Sequence, residues 1–324
     1  MRIELPVFAG ARLASWHRSY ASLTMWQLAA RTKRHFTRPL FQWYRKGLAL
    51  AFRIRNVATR DAPLRVEAYG TAFHLAPEGE IAFHFWSGLR FERAELQFIL
   101  RILRPGMTLF DIGANSGLYS IAAAKQAPVG SYKIFAFEPC PTTFAVLKKN
   151  ISLNGLTDVH AFPLAISDQP GEASLYVNTA WKDGLNSLKD PRYEEAEVID
   201  RVQVRTETLN AFAAEKGISR VDVMKVDVEG AELLVFRGAQ ELLAREDAPL
   251  ILYEGYSWCT AAFHYHPVEL MWLLEEFGYE LFVLDGSTGQ PRQRKPGETY
   301  DAMMVAVKPS HASYAEVAAR GVGA

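Results

Sequence analysis

Hydrophobic and polar positions form two kinds of segment from residue 91 onward. Apolar residues that recur every three or four positions indicate helices, and short continuous apolar runs bounded by glycine or polar residues indicate buried strands. The predicted helices span 91–103, 117–127, 142–150, 208–215, 231–244 and 267–277. The predicted strands span 108–112, 132–138, 159–166, 221–228, 250–254, 280–284 and 302–307.

This alternation predicts an α/β fold with a doubly wound, mostly parallel sheet that carries helices on both faces. The strands at 280–284 and 302–307 follow each other without a helix, so we expect one antiparallel edge. Short alternating segments between 66 and 84 predict a small β element before the main domain. We therefore divide the chain into a basic helical extension (1–60), a β-containing lead-in (61–90), a main domain (91–308) and a loosely attached tail (309–324).

The extension has a charge pattern of its own. Residues 1–60 contain 12 of the 36 Lys and Arg residues but one of the 36 acidic residues, a net charge of +11, which leaves −11 for the remainder. Apolar and aromatic residues recur at helical steps over 13–26 and again from 36 to 52, which predicts two amphipathic helices. Basic helices with interleaved Trp and Tyr suit an anionic membrane surface. A helical cap on the acidic remainder and an organellar transit peptide are the alternatives.

Composition narrows the protein class. The chain has 324 residues, 49% hydrophobic and 22% charged, which is ordinary for a globular protein with a large core. Cys140 and Cys259 lie far apart, without the spacing of a disulfide framework or a zinc site. No apolar stretch approaches the ~20 residues that span a bilayer, and the first thirty residues lack the apolar core of a secretory signal. We therefore expect a cytoplasmic protein, peripheral to the membrane if the extension binds one.

The turn after the first predicted strand, within TLFDIGANSGLYS (108–120), is a candidate ligand site. Ligands of doubly wound sheets bind at the carboxyl ends of strands, and Gly113 and Gly117 permit close backbone approach. The spacing departs from the dinucleotide fingerprint G-x-G-x-x-G, and Asp111 lies two residues before the first glycine. A carboxylate there would repel a pyrophosphate but attract the sulfonium and ammonium groups of S-adenosylmethionine, so we favour that cofactor over NAD.

The next predicted strand ends in FAFEPCP and places Glu138 beside the glycine turn. A carboxylate at this position can accept hydrogen bonds from both ribose hydroxyls. NAD and S-adenosylmethionine share the ribose, so Glu138 supports a nucleoside cofactor without choosing between them.

The strand that ends in VMKVDVEGAE delivers Asp227 and Glu229 on the same side of an extended chain. A hydroxyl acceptor needs a base to take its proton, and we favour Asp227 for that role and Glu229 for positioning, although Glu229 could instead stabilise the helix that follows. His264 and His266 lie in a loop of the same edge and are further candidates for the proton. No dense Asp and Asn cluster indicates a metal, and we expect none.

Five ordered segments carry a resemblance to a known family: PGMTLFDIGANSGLYS, FEPCP, LKKNISLNGL, VDVMKVDVEGAELLVFRGA and PLILYE. Together they resemble the FkbM-type family of S-adenosylmethionine-dependent methyltransferases over roughly 92–308. The resemblance implies a class I methyltransferase fold with seven strands and a reversed last hairpin, and O-methylation of a sugar or secondary metabolite. The chain has Asn210 where the family commonly has Asp.

The resemblance also implies roles for individual residues of the cofactor site. The glycine turn would hold the methionine side of the cofactor, Glu138 its ribose, and the end of the third strand would lie near its adenine. The implied cofactor-binding residues are Asp111, Gly113, Asn115, Gly117, Glu138, Ser167 and Asp168.

Two other functions use the same features. A nicotinamide-dependent oxidoreductase could share the sheet, but the G-x-G-x-x-G spacing is absent. A nucleic-acid methyltransferase or binding protein could use the basic extension, but the main domain is acidic and the fourth strand lacks an Asn/Asp-Pro-Pro-aromatic run. The predicted partners are therefore a small-molecule, glycan or glycolipid acceptor and, through residues 1–60, an anionic membrane, with nucleic acid not expected.

Overall fold

The structure is a computed structural model that describes residues 37–60, 62–77, 79–88, 92–178, 186–190, 199–294 and 301–320. The helix predicted over 13–26 lies outside these residues. The second helical pattern of the extension corresponds to α1 (Thr37–Ala58). Within the described ranges, no helix combines the length and the apolar character that crossing a bilayer requires.

The lead-in is a hairpin followed by one helix, and a second helix begins the main domain. Strands β1 (Leu64–Ala68) and β2 (Thr71–Leu75) pair antiparallel, and α2 (Glu80–Ser87) and α3 (Arg93–Ile102) follow. Helix α2 is absent from the sequence prediction, which treats 66–84 as β structure. It packs on α1 through Phe52, whose ring centroid lies 5.6 Å from that of Phe83.

The remaining elements form the α/β body. The strands are β3 (Thr108–Ile112), β4 (Lys133–Phe137), β5 (Val159–Phe162), β6 (Ala165–Ile166), β7 (Gly171–Asn178), β8 (Ile199–Glu207), β9 (Val223–Val226), β10 (Leu250–Gly255), β11 (Glu280–Leu284), β12 (Pro291–Gln293) and β13 (Ala302–Val307). The helices are α4 (Leu118–Ala124), α5 (Pro141–Leu153), α6 (Leu209–Glu215), α7 (Glu232–Arg237), α8 (Gln240–Ala244), α9 (Ser257–Thr260), α10 (Pro267–Glu276) and α11 (Tyr314–Arg320).

The central sheet has the order β12-β11-β13-β10-β9-β3-β4-β5. Strands β10, β9, β3, β4 and β5 are parallel, whereas β13 is antiparallel to both β10 and β11. The predicted doubly wound, mostly parallel sheet with a reversed edge is confirmed. The sheet has eight strands instead of seven, because the short strand β12 pairs with β11.

Both faces of the sheet are covered, as the continuous apolar runs predict. All five residues of β3 are buried. Because successive side chains point to opposite faces, Leu109 contributes to one apolar core and Phe110 to the other. A separate sheet of order β6-β8-β7 lies beyond β5 in the chain, and its Leu175 and Val204 pack with Cys140.

Two asparagines bind the hairpin to the body: Asn150 lies in α5, and Asn154 directly follows that helix. The Asn150 side chain accepts from the His74 amide (2.7 Å) and donates to the His74 carbonyl (3.1 Å) and to the Ser116 carbonyl (2.9 Å). Asn154 makes the same pair of bonds with Ala72, at 3.0 and 2.7 Å. The Asn150 side chain therefore links β2 directly to the glycine turn through Ser116.

The end of the chain differs from its prediction. Residues 309–320 are not loosely attached, because Val317 is fully buried and Glu316 pairs with Arg101 (3.6 Å) and Arg104 (3.0 Å). His311 adds a contact of 3.0 Å between its Nε2 and the Asp222 carbonyl. The prediction of a loose tail is therefore wrong for these residues, and 321–324 lie outside the described ranges.

Candidate active site

A cavity opens at the carboxyl ends of β3, β4, β9 and β10, where the strand order reverses. Of the residues predicted from the sequence, Gly113, Asn115, Glu138, Asp227 and Glu229 line it. Further lining residues that the sequence analysis did not assign are Glu92, Tyr119, Lys225, Glu254 and Trp258.

The glycine turn forms one wall of the cavity. Gly113 has φ +78°, and a Cβ on it would lie 1.8 Å from the Asp227 carbonyl oxygen, so only glycine fits where the turn meets the end of β9. The amides of Gly113 and Ala114 both donate to the Phe137 carbonyl, at 3.0 and 2.9 Å. Asn115 follows with φ 49°, a conformation that asparagine tolerates better than most residues.

Glu138 lies at the end of β4 and is held by two backbone amides. The Asn115 amide donates to its Oε2 at 3.0 Å, and the Cys140 amide donates to its Oε1 at 2.8 Å. Burial raises the pKa of Glu138 to about 7, although these two amides favour the charged form. Each carboxylate oxygen keeps a lone pair with which it can accept a hydrogen bond from a ligand hydroxyl.

Asp111 and Gly117 shape the turn from behind and do not line the cavity. Oδ2 of the buried Asp111 accepts from the amide (3.1 Å) and the hydroxyl (2.6 Å) of Ser120 in α4. Gly117 has φ +93°, and a Cβ on it would lie 2.7 Å from the side chain of Leu147. The contact of both residues with the methionine side of a cofactor, implied by the family resemblance, therefore has no support from the cavity lining.

Ser167 and Asp168 also lie outside the cavity lining. The Ser167 amide donates to the Glu207 carbonyl at 2.9 Å, which turns the chain into the small sheet. The cavity wall at this position consists of the preceding apolar residues Leu164, Ala165 and Ile166. The third strand therefore reaches the cavity through residues that precede Ser167, and the role of Ser167 and Asp168 near the adenine stays a prediction.

Lys225 is a buried cation that links several parts of the site. Its Nζ lies 3.1 Å from Asp227 Oδ2 and 4.0 Å from Asp111 Oδ1, and it donates to the Gly113 carbonyl at 2.9 Å. It also lies 5.0 Å from the ring centroid of Tyr119. Burial alone lowers the pKa of Lys225, but the Asp227 and Asp111 carboxylates reverse the shift and raise it. Asp227 therefore forms an ion pair with Lys225.

Carboxyl groups outnumber cations in this cavity. Burial, followed by the charge of Asp227, raises the pKa of Glu92 to about 8 and raises the pKa values of Glu229 and Glu254 well above the ordinary range. Oε2 of Glu229 and Oε2 of Glu254 each lie 3.6 Å from the Cys259 sulfur. A cationic ligand would relieve the repulsion among these groups. That no metal takes part stays a prediction.

The two loop histidines do not reach the cavity lining. His264 is exposed, with φ 60°, at the end of a short 3₁₀ turn. Nδ1 of His266 accepts from the Val268 amide (3.2 Å), and Glu269 accepts from the His266 amide (2.9 Å), which together cap α10. The prediction that His264 is catalytic is therefore unsupported by the geometry, and His266 has a capping role.

The strand order, the glycine turn and the acidic residue at the end of β4 define the class I fold of S-adenosylmethionine-dependent methyltransferases. The sequence profile of the Methyltransferase FkbM domain matches residues 111–281, just over half of the chain. The chain belongs to this family. Family membership argues against the oxidoreductase and nucleic-acid alternatives.

Curated relatives agree with this assignment. Methyltransferase sdnD of Sordaria araneosa is 34% identical over 158 residues, covering 41% of this chain and 60% of its own length. The 2-O-methyltransferase NoeI of Sinorhizobium fredii is 26% identical, covering 49% and 70%. The 31-O-demethyl-FK506 methyltransferase FkbM of Streptomyces tacrolimicus is 27% identical, covering 43% and 62%. The match thus spans about 60% of the length of relatives such as sdnD.

Proposed function

We propose that the protein transfers the methyl group of S-adenosylmethionine to a hydroxyl oxygen of a saccharide, glycolipid or other small molecule. The observation that carries the proposal is Glu138, which two backbone amides hold beside the glycine turn and which lines a cavity at the switch point of the sheet. The family assignment and the O-methyltransferase names of NoeI and FkbM support the reaction type.

The residues present fit this cofactor. Glu138 provides acceptors for ribose hydroxyls, and the surplus of carboxyl groups over Lys225 favours a sulfonium cation. When bound, the cofactor supplies an activated methyl group. The protein has to align the acceptor hydroxyl and take its proton. We assign the proton to Glu229 and a positioning role to Asp227, the reverse of the sequence expectation, because Asp227 is paired with Lys225.

Calorimetric titration with S-adenosylhomocysteine tests the cofactor site, with NADH as a second ligand. We expect binding by wild-type protein and by Glu172→Gln, whose exposed glutamate serves as the control, and loss of at least tenfold in affinity for Glu138→Ala. Binding of NADH instead, or affinity for S-adenosylhomocysteine that Glu138→Ala leaves unchanged, would contradict the proposal. Transfer of tritium from labelled cofactor to extracted glycans and lipids then identifies the acceptor.

We also propose that α1 rests on an anionic membrane surface at the cytoplasmic face. Leu50, Ile54 and Val57 recur at helical spacing on α1 and are 60%, 61% and 78% exposed. They lie in the segment of net charge +11, and an exposed apolar stripe in a basic helix is typical of interfacial binding. The buried Phe52 holds the same helix on α2, whose Ile81 lines the cavity.

Flotation with phosphatidylserine vesicles tests the membrane proposal. Replacing Leu50, Ile54 and Val57 together by Gln should reduce vesicle binding, and added salt should weaken binding of the wild type. Val129→Gln is the matched control, because Val129 is 61% exposed on a loop of the body. Equal binding by the triple variant and the control would exclude α1 as the contact.

A further inference from the structure

Glu229 and Glu254 reach the cavity from different elements. Glu229 follows β9 in the left-handed conformation, with φ 53°, and Glu254 lies in β10. The thiol of Cys259, from α9, lies between them, and one oxygen of each carboxyl group and the sulfur all lie within 4.8 Å of one another. Both glutamates line the cavity, so an acceptor held there can reach them.

Among the described residues, no cation lies close enough to the Glu229 and Glu254 carboxyl groups to balance their negative charge. In the part of the chain that the structure describes, no Lys, Arg or His lies within 4.0 Å of either carboxyl group, and Lys225 is occupied by Asp227. The carboxyl groups whose charges act most strongly on the pair from outside it are Asp227, Glu232 and Glu92. Burial raises the pKa of the Cys259 thiol, so the thiol stays protonated and neutral.

Two half-buried carboxylates with oxygens within 4.8 Å of each other cannot both be ionised at little cost, and one bound proton relieves the repulsion. We propose that Glu229 and Glu254 share one proton and act as a single catalytic unit, in which Glu254 is a second catalytic residue. The inference rests on the proposed O-methyl transfer, and it adds a residue to which no role has been assigned.

The shared proton defines the chemical step. The acceptor O–H bond breaks and its proton passes to the ionised member of the pair. As this happens, the acceptor oxygen forms a bond to the methyl carbon and the bond from that carbon to sulfur breaks. The products are the methyl ether, S-adenosylhomocysteine and a doubly protonated pair, which then releases one proton to water. One negative charge on the pair and one positive charge on the sulfonium are consumed together, so the charges balance.

Infrared difference spectroscopy of the full chain tests the shared proton without any substrate. We compare the carbonyl stretch of protonated carboxyl groups at neutral pH among wild type, Glu229→Gln, Glu254→Gln and the double variant. A single shared proton predicts that either substitution removes the same band and that the double variant loses no more. Glu241→Gln, which changes an exposed glutamate of α8, should leave the band intact.

Three spectroscopic outcomes would overturn the proposal. A loss in the double variant that is twice that of each single variant would mean two independent protons, and no loss in any variant would mean two ionised carboxylates. Loss of the wild-type band on addition of Mg²⁺, with one ion bound per chain, would mean that the pair holds a cation in place of the proton.

A kinetic measurement separates a catalytic role of Glu254 from a structural one. In Glu254→Gln, the ionised Glu229 loses the shared proton that stabilises its charge in wild type, so the acid limb of the pH dependence of kcat/KM should move to higher pH. A slower variant with an unmoved limb would contradict the proposal. Binding of S-adenosylhomocysteine by each variant reports on folding. If the wild type shows the shared-proton band but does not bind S-adenosylhomocysteine, the proposed function fails while the shared proton stands.

Discussion

Removing the buried ammonium of Lys225 is the most informative perturbation of this site. The side chain is 3% exposed and contacts Asp227 at 3.1 Å and Asp111 at 4.0 Å, and Asp111 is itself fully buried. In Lys225→Met the two carboxylates keep their burial but lose their counter-charge. Breaking a buried ion pair from one side costs about 3–5 kcal/mol, and we expect that loss in the free energy of unfolding.

The double variant Lys225→Met/Asp227→Asn tests the cause of this loss. With Asp227 neutral, less charge is left uncompensated, so the double variant should be more stable than the sum of the single effects by about 1–3 kcal/mol. Urea unfolding at neutral pH, followed by fluorescence, gives the three values. Lys216→Met is the control, because Lys216 forms an exposed pair with Glu215 at 2.9 Å, and such pairs contribute about 0–1 kcal/mol.

Two results would refute this reasoning. A loss for Lys225→Met no larger than that for Lys216→Met would mean that the buried charges are solvated or neutral. Single effects that add to within about 0.5 kcal/mol would mean that Lys225 and Asp227 are not energetically coupled.

Three further predictions concern the turn and its supports. Asn150→Ala removes three hydrogen bonds of a fully buried side chain and should cost about 3 kcal/mol in urea unfolding, whereas the same change at exposed Lys148 should cost less than about 0.5 kcal/mol. Gly113→Ala should abolish calorimetric binding of S-adenosylhomocysteine, whereas Gly130→Ala, in open space, should retain it. Because burial raises the pKa of Glu138 to about 7 and the ionised form is the better acceptor for ribose hydroxyls, affinity for S-adenosylhomocysteine should rise as the pH increases through about 7. A flat pH profile would contradict that role.

The sheet was predictable because its strands are apolar runs of limited length. The predicted bounds of β3, β11 and β13 match the structure to the residue. The helix predicted over 231–244 is two helices, because the chain passes so close to Ser167 that a Cβ on Gly238 would lie 2.0 Å from the Ser167 carbonyl oxygen. The local sequence pattern carries no signal for such a contact between residues that are far apart in the chain.

Residues of the site were predictable from the sequence only where they directly follow the end of a strand. Gly113, Glu138 and Asp227 line the cavity for that reason, and the same argument applied to β10 would have found Glu254. Lys225 lies two residues before Asp227, on the same side of β9, which was a usable signal for an ion pair. Glu92 gave no signal, because tertiary packing alone brings the residue before α3 to the cavity.

The position of β13 has a consequence for synthesis of the protein. This strand lies between β10 and β11, yet it is among the last elements of the chain to be made. Until residue 307 leaves the ribosome, the nascent sheet keeps two unpaired edges, one of them the largely buried β10. A chain that stalls or is cut between β12 and β13 would retain both edges and become a target for chaperones or for aggregation.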